Sequence, residues 1–555
     1  MDVLDIKETA QRWGISPRRV QVLCESNRIY GARKIGGSWA IPDDAEKPVD
    51  GRYKKVETQF TSIDLFAGPG GICTGFHWAG IKALIAVEWS YWTVQTYAAS
   101  HDADIFNLAE YLDGTMENPG QYFNRRDDQK TLLIFGDINK VSNELIRKIL
   151  HERFGVESVD IVTGGAPCES FSMAGDRKED DDRNELYQNV LRIARAVDSR
   201  MFLFENVKGL FSKKLDGKKG GMYKAICNDF QSDAYDGASF RLAETDESKV
   251  LLKAIDYGVP QARERLFLVG INKELPESVV YHYPEKTHGP GRKFAYVTVG
   301  DAIMDLPEAG KESDQLVKYD EIYTDIRLWP KRLGIYNEKE QQTLDDKVGA
   351  DEAFVSAHEE VTIGKEKQIM CYRANADDKG MGTRDNFLDC MRGSRLKPLV
   401  KFDEEIVKSH KAPGHTKKMK QRIQSIMPGE GMKAAYERLV QEGKENFANG
   451  VFPKKLYAAR NRRLLLTEPS FTVTSHCLDE MIHPVYDRGM TPREVARLQS
   501  FPDWYRFKGP FVKFHSDPDQ DRYEQIGDAI PPLLAYALGR EVVKTLKTIH
   551  SLDKK

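Results

Sequence analysis

The chain has 555 residues, too many for one ordinary domain, and this length predicts two or three domains. Hydrophobic residues make up 40% and charged residues 30%, a composition that excludes a disordered chain, and no apolar run reaches the roughly 20 residues of a membrane span. The net charge of −3 excludes little, because 82 basic residues nearly balance 85 acidic ones, so a nucleic-acid surface would have to come from local clusters.

Four short clusters of basic residues are candidates for such a surface: Arg52–Lys55, Lys213–Lys219, Lys417–Lys420 and Arg460–Arg463. Taken singly, each is more often a solvated face than a binding patch. The seven cysteines include no CxxC pair, so neither a metal site nor a disulfide framework is predicted. The N-terminus MDVLDIKETAQRW lacks the order of a signal peptide, and we expect a cytoplasmic protein.

Residues 1–48 are predicted to form a small unit, followed by a polar linker over 49–59. Asp5 and Glu8 have the spacing of a capping box for a first helix, and Ser16-Pro17 is a typical start for a second. The sequence ARKIGGSWAIP then predicts two short strands around a glycine turn. This order resembles the winged helix-turn-helix units of excisionase and MerR-type proteins, whose second helix enters the major groove. The resemblance implies DNA contacts by Arg18, Arg19, Gln21, Arg33 and Lys34; the alternative is a cap that packs on the main domain.

From Phe60 to residue 271, short apolar runs alternate with helical patterns. The runs TSIDLF, ALIAVE, TLLIFGDI, VDIVTGG and MFLFENV predict buried strands, with helices over Tyr91–Ser100 and Asn184–Val197. Alternation of this kind predicts an α/β fold, a doubly wound sheet whose functional residues lie at the carboxyl ends of the strands.

The first of these strands runs directly into the glycine-rich sequence AGPGG. Glycines between a buried strand and a helix let the backbone approach a cofactor closely. Glu88, at the end of the next strand, has the position of an acid that binds ribose hydroxyls, and the adjacent Trp89 can cover an adenine ring. Asp137, at the end of TLLIFGDI, is a further acceptor at the same edge. The loop carries no lysine-serine pair for a triphosphate, which favours S-adenosylmethionine over ATP.

The fourth strand ends in GGAPCESFSMAG, where glycines and a proline flank Cys168. A thiol exposed at such a strand end can act as a nucleophile when its pKa is lowered or a partner activates it. The other six cysteines are interpreted as small buried residues. The fifth strand places Glu205 at the neighbouring strand end, and QARERLFLVG puts Arg263 and Arg265 on alternate residues, which face the same side of one strand.

These motifs together resemble the bacterial DNA (cytosine-5)-methyltransferases. The family's ordered blocks stand here as DLFAGPGG, APCESFS, ENV, QARER, TPREVARLQSFP and QIGDAIPP, and they span about Thr61 to Val543. The resemblance implies a Rossmann-like methyltransferase domain that uses S-adenosyl-L-methionine. It implies that the cofactor is bound by Phe66, Ala67, Gly68, Gly70, Gly71, Glu88, Trp89, Asp137, Pro167 and Asp528.

The same resemblance implies the chemistry of the catalytic residues. Cys168 adds to carbon 6 of a flipped cytosine, Glu205 holds or protonates ring nitrogen 3, and Arg263 and Arg265 hold the base edge. Two residues depart from the family pattern: Glu169 follows the nucleophile where glutamine is usual, and Asp528 replaces asparagine. The final helix of the chain is expected to cross back and pack beside the glycine block.

The remaining segments complete the predicted organisation. Residues 272–488 lose the strand-helix rhythm and occupy the place of the family's target recognition domain, which reads duplex DNA in the major groove. Residues 489–555 are expected to complete the catalytic domain. The resemblance also implies a partner restriction endonuclease acting on the same site, and we expect a monomer. Three alternatives stay open: an RNA-directed cytosine-5 methyltransferase, a DNA-binding regulator with a silent catalytic domain, and an inactive partner subunit.

Overall fold

A computed structural model describes fourteen stretches of the chain: residues 3–13, 17–25, 33–35, 37–42, 59–124, 130–166, 186–234, 236–310, 314–316, 358–363, 366–371, 383–402, 406–513 and 519–553. The chain divides into two compact units, Met1–Lys55 and Val56–Lys555. In the described part of the chain, no helix is long and apolar enough to cross a membrane.

The first unit contains two helices and a small antiparallel sheet. The helices are α1 (Ile6–Trp13) and α2 (Pro17–Glu25), and the strands are β1 (Val3–Leu4), β2 (Arg33–Ile35) and β3 (Ser38–Pro42), in the order β1-β3-β2. The predicted capping box is confirmed, because the Glu8 amide donates to Asp5 Oδ1 at 2.8 Å and the Asp5 amide donates to Glu8 Oε2 at 2.9 Å. The sequence did not predict β1.

The second unit is built on a mostly parallel sheet, as predicted. In chain order its elements up to the target-recognition segment are β4 (Phe60–Leu65), α3 (Gly71–Ala79), β5 (Ile81–Glu88), α4 (Tyr91–His101), β6 (Asp104–Asn107), α5 (Leu108–Leu112), α6 (Gly120–Phe123), β7 (Leu132–Phe135), α7 (Asn143–Lys148), β8 (Ile161–Gly165), α8 (Gln188–Ala196), β9 (Met201–Val207), β10 (Lys214–Leu215), β11 (Lys218–Lys219), α9 (Gly221–Gln231), β12 (Phe240–Leu242), α10 (Glu247–Val250), β13 (Leu251–Lys253), β14 (Gln261–Ala262) and β15 (Glu264–Asn272). Short 3-10 or π turns cover Ile138–Lys140, Ile149–Phe154, Lys208–Ser212 and Ala254–Tyr257.

Among the described residues, nine strands form the main sheet in the order β12-β15-β9-β8-β4-β5-β7-β6, with β13 paired to β15. The six strands from β9 to β6 run parallel, and β15 closes the other side antiparallel to β9. The order in which the chain adds strands to the sheet reverses at β4, whose neighbours on its two sides are β5 and β8. This is the switch point at which open α/β sheets bind ligands beyond the carboxyl ends of their strands.

Side chains of the strands supply a hydrophobic core on each face of the sheet. Along β9, Met201 and Leu203 join one cluster while Phe202 and Phe204 join the other, as the two-residue period of a strand requires. The first cluster also contains Val279, Val297 and other residues of the segment predicted as a target recognition domain, so this segment helps to cover the sheet. The limits 272–488 of that domain stay a prediction.

The C-terminal half of the unit contributes a further set of elements: α11 (Val299–Ile303), β16 (Asp314–Leu316), β17 (His358–Ile363), β18 (Glu366–Cys371), α12 (Thr383–Met391), β19 (Ile406–Lys408), α13 (Lys417–Ser425), α14 (Met432–Gln441), α15 (Glu445–Val451), β20 (Arg462–Arg463), β21 (Ser470–Phe471), α16 (Cys477–Glu480), β22 (Met481–Ile482), α17 (Pro492–Leu498), α18 (Arg522–Asp528) and α19 (Pro532–Asp553). Helices α13 to α15 bury a small core of their own. The expected return of the final helix is confirmed, because α19 packs on α3 so closely that Gly75 leaves no room for a methyl group.

Candidate functional site

The glycine loop joins β4 to α3 in a conformation that needs glycine. Gly68 and Gly70 have φ angles of 56° and 101°, in the left-handed region that side chains avoid, and Phe66 shares that region at 54°. A Cβ on Gly70 would stand 2.2 Å from His101, and one on Gly71 would stand 2.0 Å from the Ile530 carbonyl oxygen. Among the described residues, no heavy atom outside Gly68 and its two chain neighbours lies within 4 Å of the Cβ position at Gly68. His101 and Ile530 therefore crowd the loop at Gly70 and Gly71, whereas no described neighbour crowds it at Gly68.

Glu88 ends β5 beside this loop and shapes it. Its Oε2 accepts a hydrogen bond from the Gly68 amide at 2.9 Å, and its Oε1 accepts from the amides of Trp89 and Ser90, each at 2.9 Å. Burial raises the pKa of this carboxyl, and the three amides partly oppose the rise. The Trp89 side chain is 63% exposed. A buried acid and an exposed indole thus flank the open side of the loop.

Asp137 and Asp528 lie near the same edge of the sheet. Strand β7 ends at Phe135, so Asp137 lies two residues beyond the strand rather than within it as the run TLLIFGDI predicted, and the Gly136 amide donates to the Glu88 carbonyl. Asp137 is exposed and caps a short turn by accepting from the Asn139 amide at 3.0 Å. Asp528 is also exposed and accepts from Gln520 Nε2 at 2.7 Å.

Gln520 links Asp528 to the residues that follow Glu88. Its side-chain Oε1 accepts from the Thr93 hydroxyl at 2.8 Å, and its backbone amide donates to the Ser90 hydroxyl at 3.4 Å. Since the Ser90 amide donates to Glu88, a chain of hydrogen bonds connects the end of α18 with the carboxyl at the end of β5. The sequence did not predict Gln520 as part of the site, because the contact joins segments that are far apart in the chain.

The predicted nucleophile loop follows β8. Pro167, Cys168 and Glu169 lie outside the described residues, and Ala166 is the last described residue before them. Gly165 pairs with Glu205 in the parallel register of β8 and β9, and a Cβ on Gly165 would stand 2.6 Å from Glu205 Oε2. Asn206 Nδ2 donates to the Ala166 carbonyl at 3.4 Å. The acid and the asparagine of ENV therefore border the start of the loop that carries Cys168.

Glu205 and Arg265 form a partly buried ion pair. Arg265 Nε lies 3.1 Å from Glu205 Oε1, and the two side chains are 14% and 10% exposed. Burial raises the pKa of Glu205, while Arg265 and then Arg263 lower it to a smaller extent. A carboxyl in this environment holds a proton more readily than an exposed one.

The prediction that Arg263 and Arg265 share one strand face is wrong. Strand β14 ends at Ala262 and β15 begins at Glu264, so Arg263 lies in the break between them. Its guanidinium is buried, and Nη1 donates to the Val473 carbonyl at 2.8 Å. Val473 follows β21, which pairs with β14, so the strand stops where the chain turns from one partner strand to another.

A buried polar cluster beneath the glycine loop was not predicted. Asp64 in β4 accepts from Cys73 Sγ at 2.9 Å and from the Thr163 hydroxyl at 2.7 Å, and the Tyr97 hydroxyl lies 2.9 Å from Cys73 Sγ. Burial raises the pKa of Asp64 to about 6, against the lowering effect of the hydrogen bonds. The acidic residue within an apolar strand was the only local signal in the sequence. The interpretation of Cys73 as a buried residue is confirmed, as it is for Cys24, Cys227, Cys390 and Cys477.

Two buried glutamines connect sequence blocks that are distant in the chain. Gln261 Oε1 accepts from the Val473 amide at 3.0 Å, and its Nε2 donates to the Leu498 carbonyl and to Gln499. Gln499 in turn donates to the carbonyls of Ile526 and Ala529 at 2.9 Å and 2.7 Å. These bonds hold the QARER, RLQSFP and QIGDAIPP blocks together at the site.

In the first unit, Arg18, Gln21 and Lys34 are exposed, with Lys34 Nζ 5.4 Å from the Trp39 ring centroid. The side chains of Arg19 and Arg33 lie outside the described part of the structure. Arg18 and Gln21 lie on α2 and Lys34 lies on β2, as predicted.

Comparisons with known proteins agree on one family. Residues 60–119 and 121–544 match the family described as C-5 cytosine-specific DNA methylase. The type II methyltransferase M.XorII of Xanthomonas oryzae pv. oryzae is 30% identical over 490 residues, covering 88% of this chain and 86% of the relative. M.DdeI of Desulfomicrobium norvegicum is 27% identical over 495 residues, covering 88% and 90%. A solved Escherichia coli structure, described as a prophage-encoded DNA modification methyltransferase, has a TM-score of 0.53 and 22% identity, covering 88% of this chain and 100% of its own.

Proposed function

Because the chain belongs to the C-5 cytosine-specific DNA methylase family and is a DNA cytosine-5 methyltransferase, we propose that it uses Cys168 to methylate a flipped cytosine in duplex DNA. S-adenosylmethionine is the proposed methyl donor. The observation that carries this proposal is the pair of Glu205 and Arg265, held 3.1 Å apart at the strand end that borders the Cys168 loop. As relatives of the chain are type II methyltransferases, we further propose a role in restriction-modification, with a cognate endonuclease acting on the same sequence.

The residues at the switch point of the sheet fit S-adenosylmethionine. No atom of the described residues crowds the Cβ position of Gly68, so a ligand can approach the backbone there, and Glu88 offers carboxylate oxygens for the ribose hydroxyls. The exposed Trp89 ring can cover the adenine. When bound, this group supplies an electrophilic methyl on a sulfonium.

Cytosine carbon 5 is too weak a nucleophile to react unaided, and side chains of the protein activate it. The Cys168 thiolate adds to carbon 6, which moves an electron pair toward carbon 5. Glu205, whose pKa burial raises, donates its proton toward ring nitrogen 3 and so neutralises the negative charge that develops on the ring. Arg265 holds Glu205 in place through their ion pair, whereas Arg263 donates to the Val473 carbonyl. After the methyl group is received, water takes the carbon 5 proton, the electron pair of that C–H bond restores the carbon 5–carbon 6 double bond, and the carbon 6–sulfur bond breaks to release the Cys168 thiolate.

Replacement of the nucleophile tests this mechanism. Cys168→Ala should abolish methylation and leave S-adenosylmethionine binding intact, because most of the proposed cofactor residues lie in the glycine loop and at the end of β5, and the substitution leaves Pro167 unchanged. Cys227→Ala, at a buried cysteine of α9, is the matched control and should retain activity. A duplex with 5-fluorocytosine at the target should form a stable covalent adduct with the wild type, since fluorine cannot leave as a proton does. Normal turnover by Cys168→Ala would overturn the assignment. The target itself is found by bisulfite sequencing of DNA from expressing cells.

We also propose that the first unit is a winged helix-turn-helix that contacts DNA through α2 and the β2–β3 hairpin. Its support is the order of elements and the exposure of Arg18, Gln21 and Lys34. Arg18→Ala with Lys34→Ala should flatten the salt dependence of DNA affinity by about 0.9 per lost phosphate contact, without altering the methylated sequence. Arg12→Ala, at the end of α1, is the control. Superimposable salt lines for the variant and the wild type would make this unit a structural cap.

A further inference from the structure

Residues 453–460 form an exposed basic loop whose two ends are anchored. Lys454, Lys455, Tyr457 and Arg460 are all exposed, and Tyr457 is 43% exposed. At one end, the Val451 carbonyl accepts from Arg422 Nε at 2.8 Å. At the other, Asn461 is buried with φ of 50°, and its amide and Nδ2 both donate to the Asp479 carbonyl at 2.9 Å. The loop therefore presents its side chains from fixed supports.

Two cations of the loop surround its one aromatic ring. Lys455 Nζ lies 4.9 Å from the Tyr457 ring centroid, and Arg460 Cζ lies 5.1 Å from it. Within the described part of the chain, no ion pair joins Lys454, Lys455 or Arg460 to a carboxylate. Positive charge gathered around an exposed ring, without acidic partners, matches a polyanion.

Arg462, at the base of the loop, carries a further positive charge. Its guanidinium lies 3.2 Å from the Phe471 ring centroid, and its Nε is buried without a hydrogen-bond partner among the described residues. Glu480 attracts it electrostatically but lies beyond ion-pair distance. A partly desolvated guanidinium of this kind is stabilised by an incoming anion.

The base of the loop is tied to the catalytic edge of the sheet. Phe471, under Arg462, pairs with Ala262 in the parallel register of β14 and β21, and the Thr472 hydroxyl donates to the Ala262 carbonyl at 2.7 Å. Arg263 follows directly and bonds to Val473. Arg462, at the base of the basic loop, therefore stacks on the strand pair that leads to Arg265 and Glu205.

We propose that the 453–460 loop, with Arg462 at its base, clamps the phosphate backbone of the target DNA beside the pocket that receives the flipped cytosine. Lys455, Arg460 and Arg462 contact phosphates, and Tyr457 keeps the first two cations aligned and packs on the adjoining sugar. Contacts of this kind position the duplex and carry no sequence information. The inference rests on the proposed function, because it takes DNA as the substrate.

The test uses the full chain with Lys455→Ala and Arg460→Ala combined. The matched control is Lys544→Ala with Lys547→Ala on α19, two exposed lysines far along the chain from the loop. Affinity for a mixed-sequence duplex is measured across a salt series, and methyl transfer to plasmid DNA is measured as kcat and KM. The loop variant should lower the salt slope by about 1.8, about 0.9 for each of two contacts. Its KM for DNA should rise about tenfold, equivalent to about 1.4 kcal/mol, while kcat and S-adenosylmethionine affinity stay unchanged.

Variants of Tyr457 separate alignment from charge. Tyr457→Ala should raise KM without changing the salt slope, and Tyr457→Phe should behave as the wild type because the ring is kept. A loop variant whose salt line and KM equal those of the control would overturn the proposal. Failure of the wild type itself to bind or methylate DNA would instead overturn the proposed function, so the two failures are distinguishable.

Discussion

Replacement of Gly75 by alanine tests whether α19 is clamped on the helix that follows the glycine loop. An added methyl group would stand 2.4 Å from the Tyr536 amide nitrogen, 2.5 Å from the Pro532 carbonyl oxygen and 2.6 Å from the Ala535 Cβ. The first two atoms belong to the backbone of α19, so no change of rotamer relieves the clash. The helices must move apart, and we expect the free energy of unfolding to fall.

The size of the effect follows from two opposing contributions. Overpacking a core costs about 1–3 kcal/mol, and backbone contacts this short place Gly75→Ala at the upper end. Alanine is favoured over glycine inside a helix by about 1 kcal/mol, which offsets part of that cost. The net expectation is a loss of about 2 kcal/mol. Binding of S-adenosylmethionine should weaken too, because α3 begins at the end of the loop that holds Gly68 and Gly70.

Two further glycines serve as controls for this substitution. Gly450 lies in α15, and no atom from another part of the described structure comes within 4 Å of its Cβ position, so Gly450→Ala should leave stability unchanged or raise it by up to about 1 kcal/mol. Gly539 in α19 is intermediate, with Ala79 Cβ at 3.0 Å, and its alanine variant should fall between the other two. Denaturant midpoints and cofactor titrations of the three variants provide the measurement. If Gly75→Ala proved as stable as Gly450→Ala, the packing of α19 on α3 described above would be wrong.

Three other substitutions test the site. Burial raises the pKa of Asp64 from 3.8 to about 6, so in this window the folded state keeps a proton that the unfolded state has lost. As the pH rises from about 4 to about 6, the free energy of unfolding of the wild type should therefore fall by up to about 3 kcal/mol relative to that of Asp64→Asn. Denaturant midpoints of the two proteins that change in parallel over this pH range would contradict this. Glu205→Gln should lower single-turnover methylation by about 10²–10⁴-fold with cofactor affinity unchanged; a smaller loss would remove its role in proton transfer. Asp528→Asn should keep activity within a few-fold because an amide oxygen can also accept from Gln520, and a gain of about tenfold would show a weakened natural site.

Features that depend on near neighbours in the chain were predictable from the sequence. The Asp5–Glu8 capping box is confirmed because both hydrogen bonds join residues three apart. The strands ending at Leu65, Glu88 and Val207 were recognisable from their continuous apolar runs, which strands covered on both faces require. Strand β6 was missed because its four residues, DIFN, carry polar residues at both ends and show no such run.

The order of motifs was likewise enough to indicate the family, since each block is a local pattern and six in sequence are specific. The contacts between these motifs, in contrast, were decided by the tertiary structure. Gln261 and Gln499 meet across 238 positions of the chain, and no local pattern marks either as a link between blocks. Arg263 lies between two strands because β14 pairs with β21 and β15 pairs with β9. Both partner strands are distant in the chain, so the sequence around Arg263 does not predict the break.

Ionisation at the site also depends on the fold. The sequence by itself determined which carboxyls stand at strand ends and which glycines border them. Only the tertiary structure buried Asp64 beside Cys73 and Glu205 beside Arg265, and burial is what raises both pKa values. The physical reason is that desolvation depends on every segment that excludes water from a group, and most of those segments are distant in the chain.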